Sequence, residues 1–300
     1  MSVLKIEKTA YAGWPNCYRL TNGEVELIVT TDVGPRIIRY GFIGGQNLFY
    51  ECKDQLGNSG EPWWMIRGGH RLWAAPERMP FTYALDNDPI QATLVGDDTI
   101  TVLQKAPLRK QITITLSVDG RVRLVHTLAN ADAEPVELAP WALTVMAPGG
   151  LGMVAFPLRA PHYKQLLPTN PLVMWAYTDF SDKRWTFTKR YLLLKQDPTT
   201  FDAQKAGLFC EKTLAGYLLG SDLFTKQCEV DSTAFYTDYG CSFEIFTNPD
   251  FLELETLGRL LQLAPGESTE HVEHWSITRN VHLDSLTDSE LDRVLVPVMK

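Results

Sequence analysis

Polar and apolar residues alternate with a period of two along much of the chain, which is the pattern of half-buried β-strands. The clearest example runs from Gln111 to Asn130, where two alternating runs flank an Asp119-Gly120 turn and predict a hairpin. The apolar face of this hairpin is predicted to hold Ile112, Ile114, Leu116, Val118, Val122, Leu124 and Leu128. His126 falls on the same apolar face, so we expect it to be a hydrogen-bonded core residue.

Strand-like runs recur through the rest of the chain, separated by turns. An Asn22-Gly23 pair precedes one at 24–29, and further runs lie at 90–95, 99–104, 191–195, 214–219, 241–247, 251–257 and 270–278. Many short strands without amphipathic helices between them favour a sandwich over a Rossmann fold or a TIM barrel. The sequence therefore predicts an all-β protein, a large twisted antiparallel β-sandwich.

One helix is predicted, at the C-terminus. Thr287 and Glu290 have the spacing of a capping box, Leu286 can pack on Leu291, and Pro297 ends the pattern. The chain has no internal repeat and no Gly/Ser linker, so we expect a single domain over residues 1–300.

Composition narrows the possible partners. The chain is 45% hydrophobic and 21% charged with a net charge of −8, which is ordinary globular usage. No Lys/Arg-rich run could neutralise a phosphate backbone, so we expect no nucleic-acid partner. No run of about 18 apolar residues exists, and the N-terminus lacks the apolar core of a signal peptide, so we expect a cytoplasmic protein without a membrane partner.

A first candidate for chemistry lies between Trp63 and Glu77, where aromatics, two Arg, a His and a Gly pair occur together. Aromatic faces stack on sugar rings, Arg donates paired hydrogen bonds, and Gly lets a backbone approach closely. The candidate ligand-binding residues here are Arg67, Arg71, Trp73 and Glu77, with His70 beside them. The alternative is structural: the tryptophans are core, the arginines pair with structural acids, and the glycines form a turn.

A second candidate lies at 248–258, where Leu252 and Leu254 occupy one strand face while Glu253 and Glu255 share the other. If that face lines a cleft, like charge raises at least one pKa, and a carboxylate tuned in this way can serve as a general base. The alternative is an ordinary solvated strand face.

Histidine and cysteine spacing shows no metal motif. His271 and Glu273 share a strand face, and a metal site that combines them with Glu253 or Glu255 is conceivable, but no ligand spacing supports it. The five cysteines are scattered without a C-x-x-C pair and are interpreted as structural. We therefore predict no metal and no cofactor.

Together these segments resemble the galactose mutarotase-like superfamily, and more narrowly the DUF4380 family of that fold, over nearly the whole chain. The resemblance is carried by Arg67-Gly68-Gly69-His70-Arg71-Leu72-Trp73 with Pro76-Glu77, Pro140-Trp141-Ala142-Leu143-Thr144, 251–256, 263–267, and Glu273-His274-Trp275. It implies the β-sandwich predicted above, and it adds Trp141 and Glu253 to the residues expected to contact a substrate.

The resemblance also implies roles for single residues. Leu254-Glu255-Thr256 is similar to the motif whose Glu takes the proton from the anomeric hydroxyl in aldose 1-epimerases, so Glu255 is the expected base. Arg67-Gly68-Gly69 is similar to the Arg-Gly-Gly segment that binds phosphate in hexose-6-phosphate epimerases. The central Asn-His strand of mutarotases is replaced here by Trp141-Ala142-Leu143-Thr144, so His70 is the expected general acid.

The implied activity is epimerisation at C1 of a sugar or sugar phosphate by acid–base catalysis without a cofactor. A non-catalytic sugar-binding or sensing module with the same cleft is the alternative, and the replaced central His favours it. A role accessory to a polysaccharide lyase or hydrolase is a third interpretation, which an export signal would support. The oligomeric state is left open by the sequence.

Overall fold

Two large antiparallel β-sheets contain nearly all regular structure in residues 4–106 and 108–299, the part of the chain that the computed structural model describes. In chain order, the strands of the first sheet are β1 (Lys5–Tyr11), β2 (Trp14–Thr21), β3 (Val25–Thr30), β4 (Arg36–Phe42), β5 (Gly69–Ala75), β10 (Val136–Met146), β12 (Leu172–Met174), β15 (Gln204–Leu208), β18 (Phe243–Thr247), β19 (Leu252–Leu257) and β20 (Leu261–Leu263). Their order in space is β1-β2-β3-β4-β5-β10-β19-β18-β15-β12, and β20 also pairs with β10.

The second sheet packs against the first. In chain order it contains β6 (Gln91–Val95), β7 (Thr99–Gln104), β8 (Arg109–Leu116), β9 (Val122–Ala129), β11 (Leu151–Ala155), β13 (Trp185–Phe187), β14 (Tyr191–Lys195), β16 (Lys212–Leu219), β17 (Asp222–Glu229) and β21 (Ser268–Thr278). Their spatial order is β13-β14-β11-β16-β17-β21-β9-β8-β7-β6. This architecture confirms the predicted all-β antiparallel sandwich.

The predicted strands are present, with ends within two residues of those expected. The hairpin of β8 and β9 turns at Asp119-Gly120, and its inward residues enter the main core. Val118 is the exception: it is 58% exposed, because it follows the last residue of β8 and belongs to the turn.

The main hydrophobic core lies between the two sheets. It joins Leu72 and Leu254 of the first sheet to Ile112, Leu124 and Trp275 of the second. Because neighbouring residues of a strand point to opposite faces, Arg71, Trp73, Glu253 and Glu255 must point away from the second sheet. We call this side of the first sheet the outer face.

In the part of the chain that the structure describes there is one α-helix, α1 (Asp288–Leu295), which packs on the second sheet, and short 3₁₀ turns lie at Lys53–Gln55 and Val296–Met299. Leu291, Val294 and Leu295 of the helix pack on the side of the second sheet that faces away from the main core. Thr287 is the N-cap as predicted, but its side chain makes no capping hydrogen bond; its hydroxyl lies 3.3 Å from that of Ser289. In the described ranges, no helix has the length and apolar character needed to cross a bilayer.

Candidate functional site

The central strands of the first sheet align the predicted site residues in rows across the outer face. Leu143 of β10 lies opposite Arg71 of β5 on one side and Glu255 of β19 on the other. Glu244 of β18 lies opposite Glu255 and continues the same row. Because adjacent strands are about 4.8 Å apart, the backbones of Arg71 and Glu255 are separated by about 10 Å, which is the scale of a substituted sugar ring.

Arg71 is held at one end of this row by aromatic rings and a carboxylate. Its guanidinium lies 4.5 Å from the ring centroid of Trp73 and 5.5 Å from that of Trp64. Nη2 of Arg71 donates a hydrogen bond of 3.1 Å to Oε1 of Glu253. The side chain is only 2% exposed, so its position is set by packing rather than by solvent.

Glu255 anchors the other end of the row. Its Oε2 accepts hydrogen bonds from Nε1 of Trp141 at 2.8 Å and from Nζ of Lys205 at 3.0 Å. Lys205 also lies 2.7 Å from Oε2 of Glu244, and its ammonium lies 4.8 Å from the ring centroids of both Trp141 and Trp175. Trp175 can pack there because Gly207 has no side chain: a Cβ at this position would meet the Trp175 ring at 3.1 Å.

Burial and neighbouring charges shift the pKa values of three ionisable groups on the outer face. Burial raises the pKa of Glu253 to about 7; Arg71 opposes this shift and the neighbouring charge of Glu255 adds to it. Burial also raises the pKa of Glu244 well above its ordinary value, although Lys205 opposes the rise. For Lys205, burial disfavours the charge, but Glu244 and Glu255 outweigh it and hold the pKa well above its ordinary value.

Several buried polar atoms of this cluster have no hydrogen-bond partner. At one end these are Nε and Nη1 of Arg71 and Nε1 of Trp64, and at the other end Oε1 of Glu255 and Oε1 of Glu244. An unpaired buried donor or acceptor costs about 1–3 kcal/mol, so such atoms are rarely left without a partner. Donors at one end and acceptors at the other are therefore available to a polar ligand.

Partly exposed aromatic residues form the rim. The hydroxyl of Tyr83 donates a short hydrogen bond to the exposed Glu77, and the Tyr83 ring packs at 5.0 Å on Trp73 and 5.5 Å on Trp64. Tyr177, 44% exposed, lies within electrostatic reach of Lys205; burial is the main cause that raises its pKa to about 12. Apolar rings around charged groups suit a polyol, which offers C–H faces and hydroxyls together.

Comparison with known proteins gives structural matches alone: no family model matches the chain, and no curated protein does. A candidate aldose 1-epimerase from Klebsiella pneumoniae superimposes with a TM-score of 0.59 at 12% identity, covering 99% of this chain and 86% of that one. A Synechocystis sp. PCC 6803 protein gives 0.57 at 11% identity, covering 91% and 99%. A galactose mutarotase related enzyme from Lactobacillus acidophilus gives 0.53 at 10% identity, covering 88% and 98%.

The chain has the galactose mutarotase-like fold. At these identities the likeness shows the fold, and the chemistry has to be argued from the residues of this chain. Because no family model matches, the narrower resemblance to the DUF4380 family stays a prediction.

Within this mutarotase-like sandwich, Arg67 uses both terminal nitrogens of its guanidinium in contacts within the protein, and only its Nε has no partner. Its guanidinium donates to Glu61, to Oδ1 of Asn87 at 2.9 Å, and to the carbonyl oxygens of Gln55 and Asn58 at 3.1 and 2.9 Å. The side chain is fully buried. Arg67 therefore anchors the loop that precedes β5, which is the structural alternative considered for it from the sequence.

The glycines beside Arg67 have a backbone role as well. Gly68 and Gly69 have φ of +95° and +71°, and a Cβ at Gly69 would meet the carbonyl oxygen of Ile37 at 2.3 Å. These glycines therefore let two backbone segments of the protein pack closely together, where the sequence predicted a close approach at a ligand site.

His70 lies on the opposite face from Glu255. It points between the two sheets, where its Nδ1 lies 2.9 Å from Oγ1 of Thr144 and its Nε2 lies 2.7 Å from Nε2 of His126. Burial is the main cause that holds its pKa well below the ordinary value. The expected pairing of His70 with Glu255 at one sugar is therefore wrong, because the β5 residue that faces Glu255 is the next one, Arg71.

One group of residues in the described ranges has the spacing of a metal site. Ligand atoms of His70, His126 and Glu273 all lie within 4.8 Å of one another between the sheets. The ammonium of Lys226, 2.9 Å from Oε1 of Glu273, adds positive charge there and disfavours a dication. His126 Nδ1 contacts the carbonyl oxygen of His271 at 3.1 Å, so a shared proton network accounts for the group.

Sequence reasoning missed Lys205 and Glu244. Both come from short strands that otherwise consist of buried residues, Gln204–Leu208 and Phe243–Thr247. A charged residue inside a short apolar strand is costly to bury alone, and this signal could have marked both positions.

A cavity of about 710 Å³ lies elsewhere, where the ends of β16, β17 and β21 meet residues 257–259. Its lining includes His271 and Cys228 but none of the charged residues of the outer face. We place the candidate site at the outer face because five unpartnered buried atoms of charged and aromatic residues lie together there.

Proposed function

We propose that this protein binds a sugar on the outer face and interconverts its anomers at C1, with Glu255 as general base and Glu253 as general acid. The observation that carries the proposal is the pair of carboxyl groups two residues apart on β19, of which Glu253 has its pKa raised to about 7 while Glu255 has a free Oε1 beside the cation Lys205. A carboxyl group with a raised pKa can act as an acid beside a second carboxyl group that is paired with a cation, and such pairs are a common acid–base arrangement.

Glu255 and Glu253 together carry out the proton transfers that the reaction needs. Oε1 of Glu255 takes the proton of the C1 hydroxyl while protonated Glu253 gives its proton to the ring oxygen, and the bond between C1 and the ring oxygen breaks. The open-chain aldehyde rotates about its C1–C2 bond, and the C5 hydroxyl then attacks the other face of C1. On closure Glu255 gives its proton to the C1 oxygen and Glu253 takes the proton of the C5 hydroxyl, so both carboxyl groups return to their starting states and no cofactor takes part.

Lys205 and Trp141 support the assigned role of Glu255 because both donate hydrogen bonds to its Oε2 and leave its Oε1 without a partner. The description of the Lactobacillus acidophilus neighbour as a galactose mutarotase related enzyme supports the same reaction class. We assign no catalytic role to His70; the proposed general acid is Glu253, which lies on the outer face.

Glu255→Gln tests the proposal. The amide keeps the shape and the hydrogen bond from Trp141 but has no basic oxygen, so anomerisation should slow by about two to four orders of magnitude. The rate is measured by NMR exchange between the α and β anomers of a panel of aldoses and acidic aldoses. Glu137→Gln is the matched control, an exposed Glu on β10, and it should keep the wild-type rate. An unchanged rate in Glu255→Gln would remove the base assignment.

A sugar-binding module without turnover is the second candidate. The complete burial of Glu255 and its pairing with Lys205 favour it, because a buried ion pair can also be structural. The discriminating result is a sugar that changes the fluorescence of the tryptophans around Arg71 while wild-type protein leaves its anomerisation rate unchanged.

A further inference from the structure

We infer that the sugar is a hexuronic acid whose C6 carboxylate binds Arg71; this inference rests on the proposed function and specifies its substrate. The starting observation is that Nε and Nη1 of Arg71 and Nε1 of Trp64 are buried donors without partners at one end of the site. A cluster that offers donors alone matches a group that only accepts hydrogen bonds. A carboxylate is such a group, and it fits the planar guanidinium in paired hydrogen bonds.

The neighbouring arginines Arg36 and Arg67 each have only Nε without a hydrogen-bond partner. Arg67 is taken by Glu61, Asn87 and two carbonyl oxygens. Arg36 donates to Oδ2 of Asp86 at 2.9 Å and to the carbonyl oxygens of Ile66 and Gly68. Arg71, with both Nε and Nη1 unpaired, is therefore the guanidinium of the three that can make a paired contact, and one such contact matches one carboxylate.

The buried ionisable groups of the outer face carry a net positive charge, which a ligand with one negative charge would neutralise. Lys205 offsets Glu255, and Glu244 and Glu253 both favour the protonated form because they are buried. Arg71 then remains as an uncompensated cation once Glu253 is protonated. A monoanion restores neutrality among these buried groups, whereas a phosphate dianion would exceed it.

The order of the groups along the outer face matches the order of atoms in a uronic acid. In the pyranose, the C6 carboxylate is followed by C5, the ring oxygen and C1 with its hydroxyl. On the protein, Arg71 is followed by Glu253, whose Oε1 is 3.1 Å from Nη2 of Arg71, and then by Glu255 two residues along the strand. The carboxylate at Arg71 thus brings the ring oxygen to the proposed acid and the C1 hydroxyl to the proposed base.

The experiment compares anomerisation of D-glucuronate and D-galacturonate with that of D-glucose, D-galactose and D-glucose 6-phosphate. We expect kcat/KM for each uronate to exceed that for the matching neutral hexose by at least about tenfold, the range for one charged hydrogen-bond pair. Equal values for uronate and hexose would overturn the inference and leave the proposed function standing. Faster turnover of glucose 6-phosphate than of glucuronate would overturn the assignment to a carboxylate.

Binding of the same sugars is followed by tryptophan fluorescence, which separates the two proposals. Tighter binding of glucuronate than of glucose without any acceleration would support the carboxylate site and reject the enzyme. No preference for glucuronate in either binding or turnover would reject the carboxylate site.

Two variants test the contacts. Arg71→Gln should lower the ratio of glucuronate to glucose affinity by about 10- to 100-fold. Trp64→Phe keeps an aromatic ring but removes the unpartnered N–H with the five-membered ring of the indole, so it should lower the same ratio by a smaller factor even if Arg71→Gln fails to fold. Arg123→Gln, at an exposed position of β9 in the second sheet, is the matched control and should leave the ratio unchanged. An unchanged ratio in both site variants would overturn the inference.

Discussion

His70 and Glu255 belong to the same sheet but point to its opposite faces: His70 contacts His126 between the sheets, with their Nε2 atoms 2.7 Å apart, while Glu255 faces outward to Lys205. The buried hydrogen-bond network around His70 therefore lies on the other side of the sheet from the candidate catalytic residues. Thr144 and Lys226 extend the network, since Nζ of Lys226 donates to Oγ1 of Thr144 at 2.9 Å.

Replacing His70 should therefore affect stability and not turnover. His70→Gln leaves buried partners at Thr144 and His126 imperfectly paired, and we expect the free energy of unfolding to fall by about 1–3 kcal/mol. Urea denaturation measures this loss, and the anomerisation rate per folded molecule should equal that of wild type. A loss of rate of a hundredfold in folded protein would restore His70 to the reaction.

Glu253 should control the alkaline side of the pH profile. As the acid it has to be protonated, and its pKa in the free protein is raised to about 7, so kcat/KM should fall as pH rises above about 7. Glu253→Gln should be slower by about two to four orders of magnitude and should lose this alkaline limb. The measurement is the rate between pH 5 and 9, and a limb that persists in Glu253→Gln would contradict the assignment.

Removing Lys205 should be costly because two carboxyl groups depend on it. Lys205→Met leaves Glu244 and Glu255 buried without their cation, and we expect a loss of about 3–5 kcal/mol in the free energy of unfolding. Adding Glu255→Gln to the same protein should recover part of the loss, because the uncompensated charge is removed. Additive effects in this double-mutant cycle would show that the pair is not coupled.

His271 should make stability depend on pH. Burial lowers its pKa from 6.5 to about 3 in the folded protein. The unfolded chain therefore takes up a proton near pH 6.5 and the folded protein only near pH 3, so the stability present above pH 6.5 is lost as pH falls toward 3. Between pH 7 and 5 this single group accounts for about 2 kcal/mol.

The comparison with His271→Gln isolates that contribution. The amide can still donate to Oγ1 of Thr256, which His271 Nε2 contacts at 2.7 Å in wild type, but it does not titrate. The wild-type protein should lose about 2 kcal/mol more than the variant between pH 7 and 5 in urea titrations. Equal losses of unfolding free energy in wild type and His271→Gln would show that His271 titrates normally in the folded protein.

The sequence by itself determined the all-β class, the positions of about half of the strands and, within several of those, the partition of residues between the two faces. Leu252 and Leu254 alternate with Glu253 and Glu255, and a period of two leaves one arrangement in which the leucines are in the core. The segment that forms β5 was not among the predicted strands, and the sequence pattern grouped His70 with Arg71 and Trp73, although alternation within β5 places His70 on the opposite face.

Only the tertiary structure decided which face of β5 meets the second sheet, because His70 and Arg71 are both polar and both sets of alternate residues contain apolar neighbours. It also supplied the partners of Glu255: Lys205 and Glu244 are distant in the chain and are brought to it by pairing of β15, β18 and β19. Burial of Glu253 and the occupied hydrogen bonds of Arg67 are likewise properties of packed neighbours. Strand periodicity sets relative orientation within a strand, whereas cross-strand pairing and burial set the chemistry of the site.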